Sequence, residues 1–228
     1  MARHKVLRQL GEDVREHPTY SIPEAARYVH VPPSTLKSWV LGRPYPTRGG
    51  TKHFKPLIVA ADPKHNLLSF YNIVEAHVLA ATHGEDIPLK NVRTALDFVV
   101  KTLPHTKHPL ISYEFATKGK HLFVKHLGVS LDATGHGQQI FEHLEMLLKK
   151  ITKRGPDGYP VEIEPHNTTV LVIDPKVCSG RPVLKGRGIP VDVLWQRKEA
   201  RQPISRIAKD FGLSEGEVER AITEFAAA

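Results

Sequence analysis

The chain has 228 residues, of which 40% are hydrophobic and 25% charged, so a packed core is within reach and global disorder is excluded. Its 32 Lys and Arg outweigh 24 Asp and Glu, giving +8 with histidine neutral. The single cysteine, Cys178, excludes a disulfide framework and a multi-thiolate zinc site, and no apolar run approaches the roughly 20 residues of a membrane span.

Residues 1–18 read as a polar lead-in without the apolar centre of a secretory signal, so a soluble cytoplasmic protein is expected. Next comes YSIPEAARYVHVPPSTLKSWVL, residues 20–41. Ser21 stands as an N-cap, Pro23 in the first turn, and Ile22, Ala25, Ala26 and Val29 at helical spacing. After Val31-Pro32-Pro33, Leu36, Trp39 and Val40 open a second apolar face, which makes a helix-turn-helix. Pro32 replaces the usual capping Ser or Asp, a loss of about 1 kcal/mol. GRPYPTRGGTKHFKP, residues 42–56, suits a basic wing, a short hairpin pivoting at Gly49-Gly50.

Two further helices are predicted, over 68–82 opening at Ser69 and over 89–103 ending at Pro104. From Leu110 the pattern reads as strand (ISYEFA), tight turn (TKGK) and strand (HLFVKHL). The run QQIFEHLEMLLKKI is helical; the turn cluster GPDGYP is followed by the strand-like VEIEP and TTVLVID. Residues 174–190 are loop-rich. A helix from about Val191 and a helix-turn-helix over 203–228, with Ser214 and Glu217 as a capping box, complete the chain.

The expected architecture is α+β: an N-terminal winged helix-turn-helix, central helices with a mixed strand region, and a C-terminal trihelical helix-turn-helix-like module. Four segments follow: 1–60 for DNA, 61–104 as a helical dimerisation element, 105–173 mixed, and 174–228 helical.

Charge is concentrated at the front. Residues 1–56 hold ten Lys or Arg against four acids, +6 of the total +8. Such a field suits phosphate contacts, although charge runs are also ordinary solvated faces. Ser34, Thr35, Lys37 and Ser38, near the start of the second helix, are candidates for reaching a groove. Arg43, Arg48, Lys52 and His53 are candidates for gripping it from the wing. The last helix instead offers Glu215, Glu217, Glu219 and Glu224 against Arg220, which phosphate would repel, so the C-terminal unit reads as a protein-binding or folding module.

Catalytic chemistry does not emerge. The 14 histidines form no H-E-x-x-H and no mixed Cys/His spacing, so no metal is expected. Gly186-Arg187-Gly188 lacks the strand, helix and third glycine of a nucleotide fingerprint, nothing local activates Cys178, and no cofactor or enzymatic activity is expected.

YSIPEAARYVHVPPSTLKSWV with its wing resembles the winged helix of MerR-like regulators. Residues 174–222 resemble the small antitoxin domain that accompanies PIN-like ribonuclease toxins, on Gly180, Pro182, Gly186, Ile189, Pro190, Val191, Leu213, Ser214 and Val218. The family more often has threonine-arginine ahead of I-P-V, where this chain has Arg187-Gly188. Together the two stretches resemble a long VapB-type antitoxin. The resemblance implies a cytoplasmic, autoregulatory DNA-binding protein that neutralises a PIN-like toxin nuclease. It makes Arg181, Pro182, Lys185, Gly186, Arg187 and Ile189 candidates for toxin binding: a proline-stiffened loop presents cations to an acidic site at low entropy cost. Operator DNA and a homodimer on two half-sites are the other expected partners, helices 68–82 and 89–103 being the dimerisation candidates. The alternative reading is a MerR-like regulator whose middle region binds a small effector.

Overall fold

The computed structural model describes residues 13–47, 49–82, 89–102, 108–112, 115–119, 123, 136–165 and 168–226. Helix α1 (Ile22–Tyr28) starts where Ser21 accepts from the Glu24 N–H and buries Ile22, Ala25, Ala26 and Tyr28. Helix α2 (Pro33–Leu41) buries Leu36, Trp39 and Val40 against it, and Pro32 leaves its start without a side-chain cap. Gly42 ends α2 at φ 72°, and a Cβ there would stand 2.0 Å from the Phe54 carbonyl oxygen. Only glycine lets the hairpin of β1 (Arg43–Thr47) and β2 (Gly50–Phe54) press so closely on the helix end. Thr47 pairs with Gly50, so Gly50 already belongs to β2 and is not part of the pivot expected at Gly49-Gly50. The chain then returns to α2, where the Leu57 and Ile58 N–H groups both donate to the Trp39 carbonyl.

The capping box of Ser69 and Asn72 opens α3 (Phe70–Leu79), and every residue of this helix is buried. Helix α4 (Leu89–Thr102) buries Val92, Ala95, Leu96 and Val99. Its Arg93 guanidinium donates to the carbonyls of Lys55 and Pro56, bracing the foot of the hairpin.

The first strand expected from Leu110 is absent among the described residues. Pro109–Ile111 is a 3-10 turn and Phe115–Gly119 a helical turn, and the Ser112 hydroxyl accepts from the Phe115 N–H; residues 113–114 lie outside the described residues. Phe115 and Phe123 are both buried and meet edge to face at 5.9 Å. The rest of HLFVKHL lies outside the described residues. Helix α5 (His136–Lys149) buries Leu144 and Leu147. Short antiparallel pairs follow: β3 (Lys153–Arg154) with β4 (Pro160–Glu162), and β5 (Leu171–Val172) with β6 (Val183–Leu184).

Helices α6 (Val191–Glu199), α7 (Ile204–Phe211) and α8 (Glu215–Ala226) close the chain. Val191, Leu194, Ile207, Ala208, Val218 and Phe225 are buried where they meet. The Ser214–Glu217 capping box forms as the spacing predicts. One buried apolar cluster runs from Tyr20 to Phe225. Across it the Tyr20 hydroxyl donates to the Gly180 carbonyl at 2.9 Å, and Arg27 lies 5.7 Å over the Phe225 ring, so the two ends of the chain pack on each other. No helix among the described residues is long and apolar enough to cross a membrane.

Candidate nucleic-acid interface

Because Leu36, Trp39 and Val40 face the core, the remaining positions of α2 must face outward. Ser34 and Lys37 are exposed, Thr35 and Ser38 half-buried. Ser38 donates its hydroxyl to the Thr35 carbonyl at 2.8 Å, leaving its lone pairs to accept from a partner. The hairpin stands beside this face. Tyr45 and Phe54 stack across the ladder with centroids 4.1 Å apart, and the Arg43 guanidinium lies 6.0 Å over Phe54. An arginine resting on an aromatic ring gives up little freedom when it meets a phosphate.

Ser34, Thr35, Lys37, Ser38, Arg43 and His53 line one surface concavity of about 580 Å³. They are six of the eight residues singled out for this role in the sequence. Leu41, which is exposed, and Gly42 complete its floor. Arg48 and the side chain of Lys52 lie outside the described residues. Among the described residues, neither Lys37 nor Arg43 is paired with a carboxylate, and the concavity has no acidic residue in its lining. The site is therefore positive, ringed by hydroxyls and open.

The C-terminal loop differs. Arg181 pairs with Asp192 at 2.9 Å, Lys185 with Glu164 at 2.7 Å and Arg187 with Glu217 at 3.1 Å. Each cation thus already has a carboxylate of its own chain, and Glu164 also holds Lys150. Pro182 is buried and Ile189 half-buried against the core, so Pro182 shapes the loop from beneath instead of offering a contact surface. Gly186 is exposed at φ 73°. Of the four acids expected on α8, Glu217 serves the cap and Arg187, and its carboxyl is held below the usual range by the Ser214 N–H. Glu224 accepts from the N–H groups of Thr169 and Val170 and from the Thr169 hydroxyl. Glu215 and Glu219 remain exposed.

Sequence reasoning missed one polar cluster. His108 sits with Nδ1 2.9 Å from Glu75 and Nε2 3.3 Å from Glu16. Burial pushes its pKa down, but the two carboxylates outweigh this and the net shift is upward. No local signal could reveal it, since the three residues are drawn from distant parts of the chain. No group of three or more His, Cys, Asp or Glu among the described residues is arranged to hold a metal ion.

Residues 18–96 match a family described as "Putative DNA-binding HTH domain", and residues 171–224 match one described as "Protein of unknown function (DUF433)". The chain is 26% identical over 228 residues to "Putative antitoxin VapB45" of Mycobacterium tuberculosis, with 92% of this chain and 95% of the relative covered. It also shares its fold with the crystal structure of Rv2018 from Mycobacterium tuberculosis, at a TM-score of 0.65 and 24% identity, covering 90% of this chain and 98% of the other. The N-terminal part is thus a helix-turn-helix region within an α+β chain, and the likeness to an antitoxin extends over most of its length.

Proposed function

We propose that the protein is a non-enzymatic, cytoplasmic antitoxin that binds DNA through residues 34–53 and a toxin nuclease of PIN type through residues 174–228. The observation that carries the DNA half is the concavity between α2 and the hairpin, cationic and without an acidic residue in its lining. In this reading the start of α2 enters the major groove, where Ser34, Thr35 and Ser38 meet base edges and Lys37 grips the adjoining phosphate backbone. The hairpin acts as a wing, with Arg43, Arg48, Lys52 and His53 on the backbone. Autoregulation follows if the site lies upstream of the protein's own gene, and two copies on two half-sites supply the affinity that one module lacks. Segments 1–60, 61–104, 105–173 and 174–228 then divide the work into DNA binding, helical dimerisation, mixed scaffold and toxin binding.

On the toxin side, the internal ion pairs support an exchange mechanism. Arg181, Lys185 and Arg187 are about half exposed, at 46%, 52% and 51% of their side chains, so a partner's carboxylates can take them over from Asp192, Glu164 and Glu217. Gly186 and Ile189 would then contact the partner at the loop tip.

Fluorescence anisotropy on DNA from upstream of the protein's own gene tests the first half. Lys37→Ala combined with Arg43→Ala should weaken binding at least tenfold; unchanged affinity removes α2 from the interface. Co-expression with a genetically adjacent nuclease tests the second half, growth rescue being the expected outcome and its absence the contrary one.

A further inference from the structure

Residues 174–228 hold ten Lys or Arg against eight acids, but the two signs are not mixed evenly along the segment. Residues 197–210 carry Arg197, Lys198, Arg201, Arg206 and Lys209 against Glu199 and Asp210, a surplus of three, whereas α8 holds four Glu and one Arg. The fold gathers these cations. Arg197 of α6 donates to the Gln202 side chain and pairs with Asp210 of α7, so the end of α6 and one side of α7 are neighbours. The hydrogen bond from Arg197 holds the Asp210 carboxyl below the usual range, and the charges of Arg206 and Lys209 add to this through space. Asp210 is thereby committed to Arg197. Lys198, Arg201, Arg206 and Lys209 are exposed, and among the described residues none of them is paired with a carboxylate.

Arg201 sets this edge apart from an ordinary solvated face. Helices α6 and α7 end in the same hydrogen-bonded turn. After α7 the Gly212 N–H donates to the Lys209 carbonyl and the Leu213 N–H to the Ala208 carbonyl; after α6 the Arg201 N–H donates to the Lys198 carbonyl and the Gln202 N–H to the Arg197 carbonyl. The turn residue is left-handed in both, Gly212 at φ 64° and Arg201 at φ 60°. Glycine adopts that conformation freely, while an L side chain is strained in it. The Arg201 guanidinium has no hydrogen-bond or ion-pair partner among the described residues to offset the strain. A strained position occupied by an outward-facing cation points to a contact outside the chain. The edge is also polar throughout. No exposed large apolar side chain stands on it among the described residues, and Ser205 adds an exposed hydroxyl. A protein interface needs an apolar centre that expels water, whereas unpaired cations with a small donor are what phosphate oxygens require.

We propose that the α6–α7 edge is a second contact surface for the phosphate backbone of duplex DNA, gripped by Lys198, Arg201, Arg206 and Lys209. The 181–189 loop and α8 remain for a protein partner. The proposal rests on the reading of the protein as DNA-binding, but not on the part given there to α2 and the hairpin.

Fluorescence anisotropy of the full chain on the duplex from upstream of its own gene, over a range of salt, tests it. Arg206→Ala combined with Lys209→Ala should make the slope of log affinity against log salt shallower by about 1.8, the loss of two phosphate contacts. Lys153→Ala combined with Lys176→Ala removes the same charge from other segments and should leave the slope unchanged. Arg201→Gly should weaken binding at least threefold at low salt while its melting temperature equals or exceeds that of the wild type, a combination that a purely structural arginine would not give. An unchanged slope in the α7 variant, an equal change in the Lys153 and Lys176 variant, or wild-type affinity in Arg201→Gly overturns the proposal. If Lys37→Ala with Arg43→Ala weakens binding and the edge variants do not, α2 keeps its part and the edge loses its own; the converse keeps the edge and removes α2. Absence of DNA binding by the wild type overturns both. Edge variants that lose affinity for the adjacent nuclease but not for DNA assign the edge to a protein partner and overturn the proposal as well.

Discussion

Gly42 ends α2 and seats the hairpin in a single step, because its φ of 72° and the approach of Phe54 leave no room for a Cβ. Gly42→Ala is therefore expected to cost about 2 kcal/mol or more in urea unfolding and to reduce DNA affinity, since the hairpin must move. His108 makes a different contribution. Its pKa is higher in the fold than in the unfolded chain, where it is near 6.5. The stability it adds is thus fully present below that value and is lost as the pH rises through the folded pKa. Thermal melts of the wild type and of His108→Gln should differ most at acidic pH and converge toward alkaline pH; a gap that widens with pH contradicts the assignment. Tyr20 adds a third residue-scale case. Tyr20→Phe leaves the buried Gly180 carbonyl unpaired and should cost about 1–3 kcal/mol.

At the scale of elements, what could be read from the sequence depended on how local the determinant was. Ser21 and Ser69 sit at helix starts, Gly212 lies just past the end of α7, and Ser214 with Glu217 spells a capping box, so those boundaries were legible. The outward face of α2 was legible because three buried residues fix the other side. Alternating apolar residues from Leu110 look like a strand, whereas Pro109–Ile111 and Phe115–Gly119 are turns and the Ser112 hydroxyl accepts from the Phe115 N–H. The state of the C-terminal loop was illegible for a related reason: its cations pair with Glu164, Asp192 and Glu217, carried on other segments, and no local pattern announces such pairing. Releasing one of them has a definite consequence under the exchange mechanism. Asp192→Asn frees Arg181 for a partner, so toxin affinity measured by calorimetry should rise a few-fold at low salt; a weaker complex would place Asp192 itself at the contact.

For the whole molecule, the decisive feature is that one apolar cluster joins the two ends of the chain, with Tyr20 on Gly180 and Arg27 over Phe225. The DNA-binding and toxin-binding units proposed here therefore support each other physically. Truncation after residue 173 should lower the melting temperature by about 5 °C or more and weaken DNA binding as well as toxin binding, in contrast to a chain whose modules fold independently. The central claim is that cations on one face of the N-terminal unit hold an anionic polymer. The most direct test is the dependence of DNA affinity on salt, for the wild type and for Lys37→Ala with Arg43→Ala. If both side chains contact phosphates, the slope of log affinity against log salt becomes shallower by about 1.8 in the double variant. An unchanged slope would contradict the account.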